Sequence, residues 1–388
     1  MNKFATFAAA LLWAAAATLT SCDDKNEPGG GNDGNGDVAA ALIDYSAENA
    51  DNWHNYSVQV ARLLSNDASK LYDAWTVSYN GGQAFADIFR NHSGNGYTSP
   101  LNCIEEMIDG CADIANEVGT AKIGDPFDLY KAGRTEEALY AVESWYSWHS
   151  REDYTNNIYS IRNTYFGTLD GTVATASMAS KVASLDPSLD ADLRSKIDAA
   201  AGAILAIPQP FRNNIDSGEA SAAMQACAAL DAALSVDLKA FFENLDASHH
   251  ADLSAIVTNY VDAVVLPTYK SLKERNAALL SAVQFLSANR TDAAFEAACR
   301  AWLSSREPWE KSEAFLFGPV DALGLDPNMD SWPLDQDAIV NHLKSGVFND
   351  LDWSDSDSDD TIEAVQNIRG FHTLEFLLFK DGKPRAVN

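Results

Sequence analysis

The sequence predicts an all-α protein built from two similar four-helix bundles that pack side by side. Apolar residues recur at helical spacing through most of the chain, as at Val58, Ala61 and Leu64. Many of these segments open on Asp or Ser, which are favoured N-caps, and strand-like alternation is scarce. A polar break around residues 240–252 divides the segments into two halves. We therefore expect one bundle over residues 39–248 and a second over residues 249–388.

The first 38 residues have the pattern of an export segment. Lys3 precedes a short apolar run, and Leu19–Cys22 (LTSC) has the pattern of a cleavage site that ends in cysteine, which resembles the lipobox of bacterial lipoproteins. We expect residues 1–21 to be a lipoprotein signal peptide, Cys22 to be lipidated and residues 22–38 to form a flexible tether. The chain would then be an outer membrane lipoprotein, on the periplasmic face or at the cell surface. The alternative is an ordinary signal peptide with an incidental Cys22.

The helical pattern continues through both halves. In the first half it covers residues 42–79, 190–207 and 237–245, and in the second half residues 252–288 and 292–309. Pro267 lies inside one of these stretches and is expected to kink or split the helix. Clusters of Gly, Pro, Asn and Asp predict loops at residues 79–82, 91–100, 207–214, 318–333 and 351–360.

The charge balance is strongly acidic. The chain has 27 Lys and Arg against 56 Asp and Glu, a formal net charge of −29. Nucleic acid is a poor partner for such a chain, because Lys and Arg supply most of the affinity for phosphate. Cationic or neutral ligands are favoured. Plain solubility explains the same charge without any ligand.

A histidine and a glutamate lie in an apolar run near the C-terminus, within NIRGFHTLEFLLF. His372 and Glu375 are three residues apart, so on a helix both side chains project from one face. Imidazole and carboxylate are sound ligands for iron or another divalent cation, and the pair is a candidate metal site. The spacing lacks the second histidine of zinc-protease motifs. The alternative is a histidine hydrogen-bonded to its neighbour inside a packed core.

Two further runs carry polar groups in apolar surroundings. In REPWEKSEAFLFGP, Glu313 is flanked by aromatic and aliphatic residues, so a cation such as Arg306 is expected to neutralise it unless it faces a polar cavity. A surface salt bridge is the alternative.

In ESWYSWHSREDYTNNI, Glu143 and Ser147 are four residues apart and share a helix face. No GxSxG motif accompanies them, so a serine-hydrolase triad is not expected.

Together these segments resemble the imelysin family, catalogued as M75 peptidases. GFHTLEFLLF is similar to the family's GxHxxE motif, and REPWEKSEAFLFGP with DSWPLD is similar to its second recurrent segment. ESWYSWHSREDYTNNIYSIRNTYFG resembles the segment that usually follows the GxHxxE half, so the order is reversed here, as in a circular permutation. The resemblance implies two similar four-helix bundles, a functional site between them and a link to bacterial iron uptake. Carried over to this chain, the site residues are Gly370, His372, Glu375, Arg306, Glu313, Trp332, Asp335, Glu143, Ser147 and Asp153.

Two functions follow from the resemblance. The first is a non-catalytic binding protein that holds an iron species, a haem-like ligand or peptide-borne iron, with an outer-membrane transport partner. His372 and Glu375 would contact the ligand, Glu143 and Glu313 would add negative charge, and Arg306 would compensate for it. The second is a metal-dependent peptidase in which Glu375 or Glu143 is the general base. A purely structural role, in which His372 and Glu375 pin one bundle to the other, is the third alternative.

Overall fold

The computed structural model describes residues 43–94, 96–354 and 356–387. The expected signal peptide, the tether and Cys22 lie outside the described residues. Across the described residues, no helix combines the length and apolar character needed to cross a membrane.

The first half of the described chain is helical from residue 50 onward. Its helices are α1 (Ala50–Thr76), α2 (Phe85–Arg90), α3 (Pro100–Glu117), α4 (Gly124–Lys131), α5 (Thr135–Ala141), α6 (Ser150–Phe166), α7 (Met178–Leu185), α8 (Pro187–Ala206), α9 (Gly218–Ala232) and α10 (Lys239–Glu243). Wider π-helical turns follow α3 at Val118–Lys122 and α9 at Ala233–Leu238. Several of these helices begin with a side-chain cap, for example Ser99 for α3 and Ser217 for α9.

The second half is also helical and ends in a small hairpin. It comprises α11 (His250–Tyr260), α12 (Leu266–Ala288), α13 (Asp292–Glu310), α14 (Pro319–Ala322), α15 (Leu325–Asp330), α16 (Gln336–Ser345), α17 (Asp359–Gln366), α18 (Gly370–Leu378), β1 (Phe379–Lys380) and β2 (Lys383–Pro384). A 3₁₀ turn at Glu313–Phe315 follows α13. The prediction of an all-α fold is confirmed.

Long helices pack into two groups. In the first, α1 lies along α12, α12 along α13, and α18 packs against α1 and α13; in the second, α8 packs against α6 and α9, and α3 packs against α6 and α9. Buried aromatic and aliphatic side chains fill both groups, among them Trp53 and Trp302 in the first and Tyr154 and Ile197 in the second. These groups are the two helix bundles, here called bundle I and bundle II.

The first long helix does not pack with the helices that follow it in the chain. α1 precedes residue 248 but lies against α12 and α18, which come after it. The π-helical turn at Val261–Val265 joins α11, which packs on α3 of bundle II, to α12 of bundle I. Pro267, expected to interrupt this stretch, lies in the first turn of α12. The division of the chain at residue 248 stays a prediction about domain boundaries.

The bundles meet where the end of α13 approaches bundle II. α13 packs against α6, and the turn Glu313–Phe315 packs against α3. The approach to α3 is very close, since a Cβ atom on Gly110 would lie 2.3 Å from the Ala314 carbonyl oxygen. Only glycine fits at this point, and its absence of a side chain lets the Glu313 turn lie directly on bundle II.

The predicted loop over residues 318–333 is wrong in part. Two short helices, α14 and α15, occupy it, each opened by a glycine with positive φ at Gly318 or Gly324. Leu325 and Met329 of α15 are buried, and this packing favours a helix where the turn residues predicted a loop. The consequence for the site is that Asp330 lies at the end of a packed helix.

Candidate functional site

His372 and Glu375 project from α18 into the protein interior and contact each other. Nδ1 of His372 lies 3.2 Å from Oε2 of Glu375, and both side chains are fully buried. The expected sharing of one helix face is confirmed. Gly370 begins the helix with φ +90, and a Cβ atom there would lie 2.6 Å from the Met329 carbonyl oxygen. Glycine therefore lets α18 start against the end of α15.

The close approach of α15 brings Asp330 to the other side of the His372 ring. Nε2 of His372 lies 3.1 Å from Oδ1 of Asp330. Burial and the charge of Arg306 both lower the pKa of His372, but the charge of Asp330 and the hydrogen bonds to Asp330 and Glu375 outweigh them and raise the pKa to about 9. His372 is therefore an imidazolium at neutral pH, with an N–H directed at a carboxylate on each side.

Glu375 joins bundle I to bundle II. Its Oε1 accepts hydrogen bonds from the backbone N–H and the hydroxyl of Ser147, each at 2.7 Å. Ser147 lies in the loop between α5 and α6, so the prediction that Glu143 and Ser147 share a helix face is wrong. In this loop Ser144 and Trp148 have positive φ angles of 51° and 61°. Such conformations cost energy in residues other than glycine and are held by the surrounding structure. Both oxygens of Glu375 thus have donors.

Arg306 is the central cation of the site and is fully buried on α13. Its guanidinium contacts Asp330, lies 2.6 Å from Glu310 and 3.5 Å from Asp153, and approaches Nε2 of His372 to 3.4 Å. Although burial would raise it, Arg306 and His372 hold the pKa of Asp330 well below its usual range. We call Asp153, Arg306, Glu310, Asp330, His372 and Glu375 the His372 cluster.

Neighbouring side chains fix the orientation of this cluster. The indole N–H of Trp309 donates to Oδ2 of Asp330 at 2.6 Å, and the Ser144 hydroxyl donates to Asp153 at 2.6 Å. Asn157 donates its amide to Glu310 at 2.6 Å. The carboxylates of the cluster are thereby held by donors from both bundles.

A second cation, Lys122, anchors an adjacent group of acids. The buried ammonium lies 3.0 Å from Glu143 and 3.5 Å from Glu117, and it faces Glu313 without an ion-pair contact. Burial opposes the charge of Lys122, but these carboxylates outweigh it and raise its pKa. We call Glu117, Lys122, Glu143 and Glu313 the Lys122 cluster.

Most residues expected at the site come together. His372, Glu375, Ser147, Asp153 and Arg306 belong to or contact the His372 cluster. The ring of Trp332 meets His372 edge-on, with centroids 4.8 Å apart. Glu143 and Glu313 lie in the Lys122 cluster. Gly370 has no side chain to contact the cluster, but it allows the backbone of α18 to pack against α15.

Asp335 is not brought to the site. Its exposed side chain caps the start of α16 by accepting a hydrogen bond of 2.9 Å from the backbone N–H of Ala338. Its place in the segment DSWPLD did not distinguish a site residue from a cap, because an aspartate directly before a helix is also a typical N-cap.

Four residues of the two clusters were missed, namely Glu117, Lys122, Glu310 and Asp330. Asp330 lay in a predicted loop, and Lys122 lay in a short segment without a periodic pattern. Glu310 stands four residues after Arg306 on the predicted helix, and that spacing alone indicates an ion pair.

Carboxyl groups outnumber the basic groups in these clusters. Burial raises the pKa of Glu310 to about 8 and that of Glu313 well above its usual value, in both cases more than the nearby cations lower it. The interface therefore holds more acidic groups than its own cations neutralise.

Three carboxylates of the interface lie close together. One carboxylate oxygen each from Glu310, Glu313 and Asp330 lies within 4.8 Å of the others. In contrast, both nitrogens of His372 face carboxylates and both oxygens of Glu375 accept hydrogen bonds. Direct metal binding by His372 and Glu375 stays a prediction, and it requires one of these contacts to open.

The fold and this interface site define an imelysin-like, all-helical protein. Similarity to known proteins leads to the same class. The family model described as Imelysin (Peptidase_M75) matches residues 10–236 and 265–387. The chain belongs to the imelysin family. The reversed segment order remains a prediction from the motifs.

Known relatives match different shares of the chain. The crystal structure of an imelysin peptidase from Bacteroides ovatus is 60% identical with a TM-score of 0.88, covering 90% of this chain and 100% of that one. Iron-regulated protein A from Synechococcus elongatus is 34% identical over 135 residues, 34% of each protein, so the chain spans about a third of that curated relative. A putative iron-regulated protein A precursor from Parabacteroides distasonis is 35% identical, with a TM-score of 0.43, over 45% of this chain and 52% of that one.

Proposed function

We propose that this chain is a non-catalytic binding protein for an iron species, with its ligand site at the bundle interface around His372 and Glu375. The observation that carries the proposal is that buried carboxyl groups outnumber the buried cations at this interface, which are Arg306, Lys122 and His372. The carboxyl groups come from both bundles and include Asp153, Glu310, Glu313 and Glu375. A cation is the ligand that such an excess attracts. The net charge of −29 and the name of the curated relative, iron-regulated protein A, support the same class of ligand.

The hydrogen bonding of the site favours binding over peptide hydrolysis. A general base must reach the proton that it abstracts, and a metal-bound histidine must offer a free nitrogen. Glu375 and His372 are fully buried. Their side-chain oxygens and nitrogens already contact each other, Ser147 and Asp330. His372 and Glu375 hold Asp330 and Ser147 in place, and the proposed ligand site lies around them.

The cell-envelope location is part of the same proposal. A lipid at Cys22 would attach the protein to the outer membrane, on its periplasmic face or at the cell surface, where iron arrives from outside. The ligand would be an iron species or an iron-bearing ligand, and an outer-membrane transport protein would be its partner. Changing Cys22→Ser should move the protein from the membrane fraction to the soluble fraction; equal membrane retention would contradict the anchor.

Calorimetry with ferric nitrilotriacetate, ferrous, zinc and haem ligands tests the proposed function. We expect the wild type to bind an iron ligand and Glu375→Gln to bind it more weakly, because the variant loosens the Ser147 and His372 contacts. Glu296→Gln is the matched control, since Glu296 lies on α13 with 58% of its side chain exposed. Absence of binding by every ligand would overturn the proposal. Metal-dependent peptide cleavage that Glu375→Gln abolishes would favour the peptidase instead.

A further inference from the structure

We propose that residues 146–149, called here the Ser147 lid, close over the His372–Glu375 pair and are latched from bundle I by the β1–β2 hairpin through Gly382. The inference rests on the proposed function, because a ligand that binds around the pair has to pass the lid. It adds a control of access to the proposed ligand site, and it concerns residues outside both clusters.

The Ser147 lid lies between the pair and solvent. His372 and Glu375 are fully buried, whereas Ser147, Trp148 and His149 are each partly exposed. Ser147 lies directly on Glu375, because its backbone N–H and its hydroxyl both donate to the carboxylate at 2.7 Å. A ligand that approaches the carboxylate of Glu375 from this side therefore has to displace Ser147.

The closed position is costly for the segment itself. Ser144 and Trp148, which flank Ser147, have positive φ angles of 51° and 61°, a region of backbone space that disfavours residues other than glycine. The indole N–H of Trp148 is buried and has no hydrogen-bond partner among the described residues. In water this group would have a partner. Contacts with bundle I must therefore hold the segment closed, and an open position would relieve both costs.

The hairpin supplies contacts of this kind. The backbone N–H of Gly382 donates to the Tyr146 carbonyl at 2.9 Å. The Trp148 ring lies on Gly382, so closely that a Cβ atom there would come within 2.5 Å of the ring. The Tyr146 ring also packs edge-on against Phe376 of α18, with centroids 5.3 Å apart. Bundle I thus holds Tyr146 and Trp148, the residues on either side of Ser147.

The hairpin is a firm support for the lid. Asp381 and Gly382 form its two-residue turn with φ angles of 50° and 72°, as expected for the type I′ turn that Asp-Gly favours. After the turn, Arg385 donates from its backbone N–H to the Leu378 carbonyl at 2.9 Å and from Nε to the Phe376 carbonyl at 3.0 Å. These bonds fix the hairpin to α18, the helix that carries the pair.

The two ends of the lid are attached to bundle II. On one side the Ser144 hydroxyl donates to Asp153 at 2.6 Å, and on the other the Ser150 hydroxyl donates to the Glu143 carbonyl at 2.5 Å. The four residues between these points can therefore move without separation of the two bundles. Opening requires only that the contacts with Glu375, Phe376 and the hairpin break.

Hydrogen–deuterium exchange tests the latch without any ligand. Gly382→Ala places a methyl group against the Trp148 ring, so the lid should open more often, and the peptide covering residues 142–149 should exchange at least about fivefold faster. Gly81→Ala is the matched control, because its φ of 73° is nearly the same and an added Cβ has nothing within 4 Å. The control should change this exchange by less than about twofold.

Exchange in α8 and α12 at the wild-type rate would establish that each variant is folded. Equal exchange of the lid peptide in Gly382→Ala and the wild type would overturn the latch.

A disulfide across the latch tests whether the lid controls ligand entry. An ideal Cβ on Gly382 lies 2.9 Å from Cγ of Trp148, so the Cβ atoms of the two positions are at most about 4.4 Å apart, within the range of a disulfide. The native cysteines of the described chain are buried and free. In Trp148→Cys combined with Gly382→Cys, uptake of ferric nitrilotriacetate should be at least about tenfold slower in the oxidised form than in the reduced form.

The reduced form of the double variant is its own control for loss of the indole. Equal uptake rates in the two forms would overturn the lid and leave the proposed function standing. If neither form takes up ferric nitrilotriacetate, hydrogen exchange alone decides the lid. Absence of uptake by the wild type as well counts against the proposed function and not against the lid.

Discussion

The two acidic clusters at the bundle interface use the same kinds of side chain and satisfy them to different degrees. In the His372 cluster, Arg306 and the imidazolium lie between carboxylates, and hydrogen bonds from Ser147 and Trp309 complete the network. In the Lys122 cluster, one lysine serves several carboxylates and leaves Glu313 without a contact. We therefore expect the first cluster to contribute more to the stability of the fold than the second.

Removing Arg306 should give the largest effect on stability. Arg306→Met leaves Asp330, Glu310 and Asp153 buried without their main counter-ion. We expect a loss of about 3–5 kcal/mol in the free energy of unfolding, measured by urea denaturation. Arg300→Met is the control, since Arg300 is 68% exposed and its ion pair with Glu296 is 3.6 Å long. A loss as small as that of the control would show that the His372 cluster does not stabilise the fold.

Replacing His372 should give a smaller, pH-dependent loss. His372→Gln removes an imidazolium that contacts two carboxylates, at a cost on the order of 1–3 kcal/mol near pH 6. The pKa of His372 rises from 6.5 to about 9 on folding, so its stabilisation is complete below pH 6.5 and disappears as the pH rises through 9.

The pH dependence of this stabilisation can be measured directly. The free energy of unfolding would be determined between pH 6 and 9.5 for the wild type and for His372→Gln, both treated with a chelator. The two curves should converge as the pH rises. A constant difference across that range would mean that His372 is not charged in the folded protein.

Neutralising Glu313 should change the free energy of unfolding least, and it should stabilise the protein rather than destabilise it. Burial raises the pKa of Glu313, so the folded state disfavours its ionised form above the ordinary carboxyl pKa. Glu313→Gln should therefore stabilise the metal-free protein by about 1–2 kcal/mol at pH 8 and by almost nothing at pH 4. Thermal melting at the two pH values measures this. Destabilisation at pH 8 would show that Glu313 already has a partner in the folded protein.

The sequence predicted the helices better than the site. Apolar spacing and N-caps are local signals, and they were sufficient for an all-α fold and for the shared face of His372 and Glu375. The partner of His372 was not predictable in the same way, because Asp330 reaches it only through the packing of α15 and the backbone of Gly370. The contacts of Lys122 with Glu143 likewise depend on how a π-helical turn places its side chain.

Iron retention by the purified protein tests the central claim most directly. Wild type and Glu375→Gln would be incubated with ferric nitrilotriacetate, desalted, and analysed for iron by mass spectrometry, with Glu296→Gln as the matched control. We expect about one iron per chain in the wild type and in the control, and at least about tenfold less in Glu375→Gln. No iron in the wild type, or equal iron in the wild type and Glu375→Gln, would contradict the proposed function.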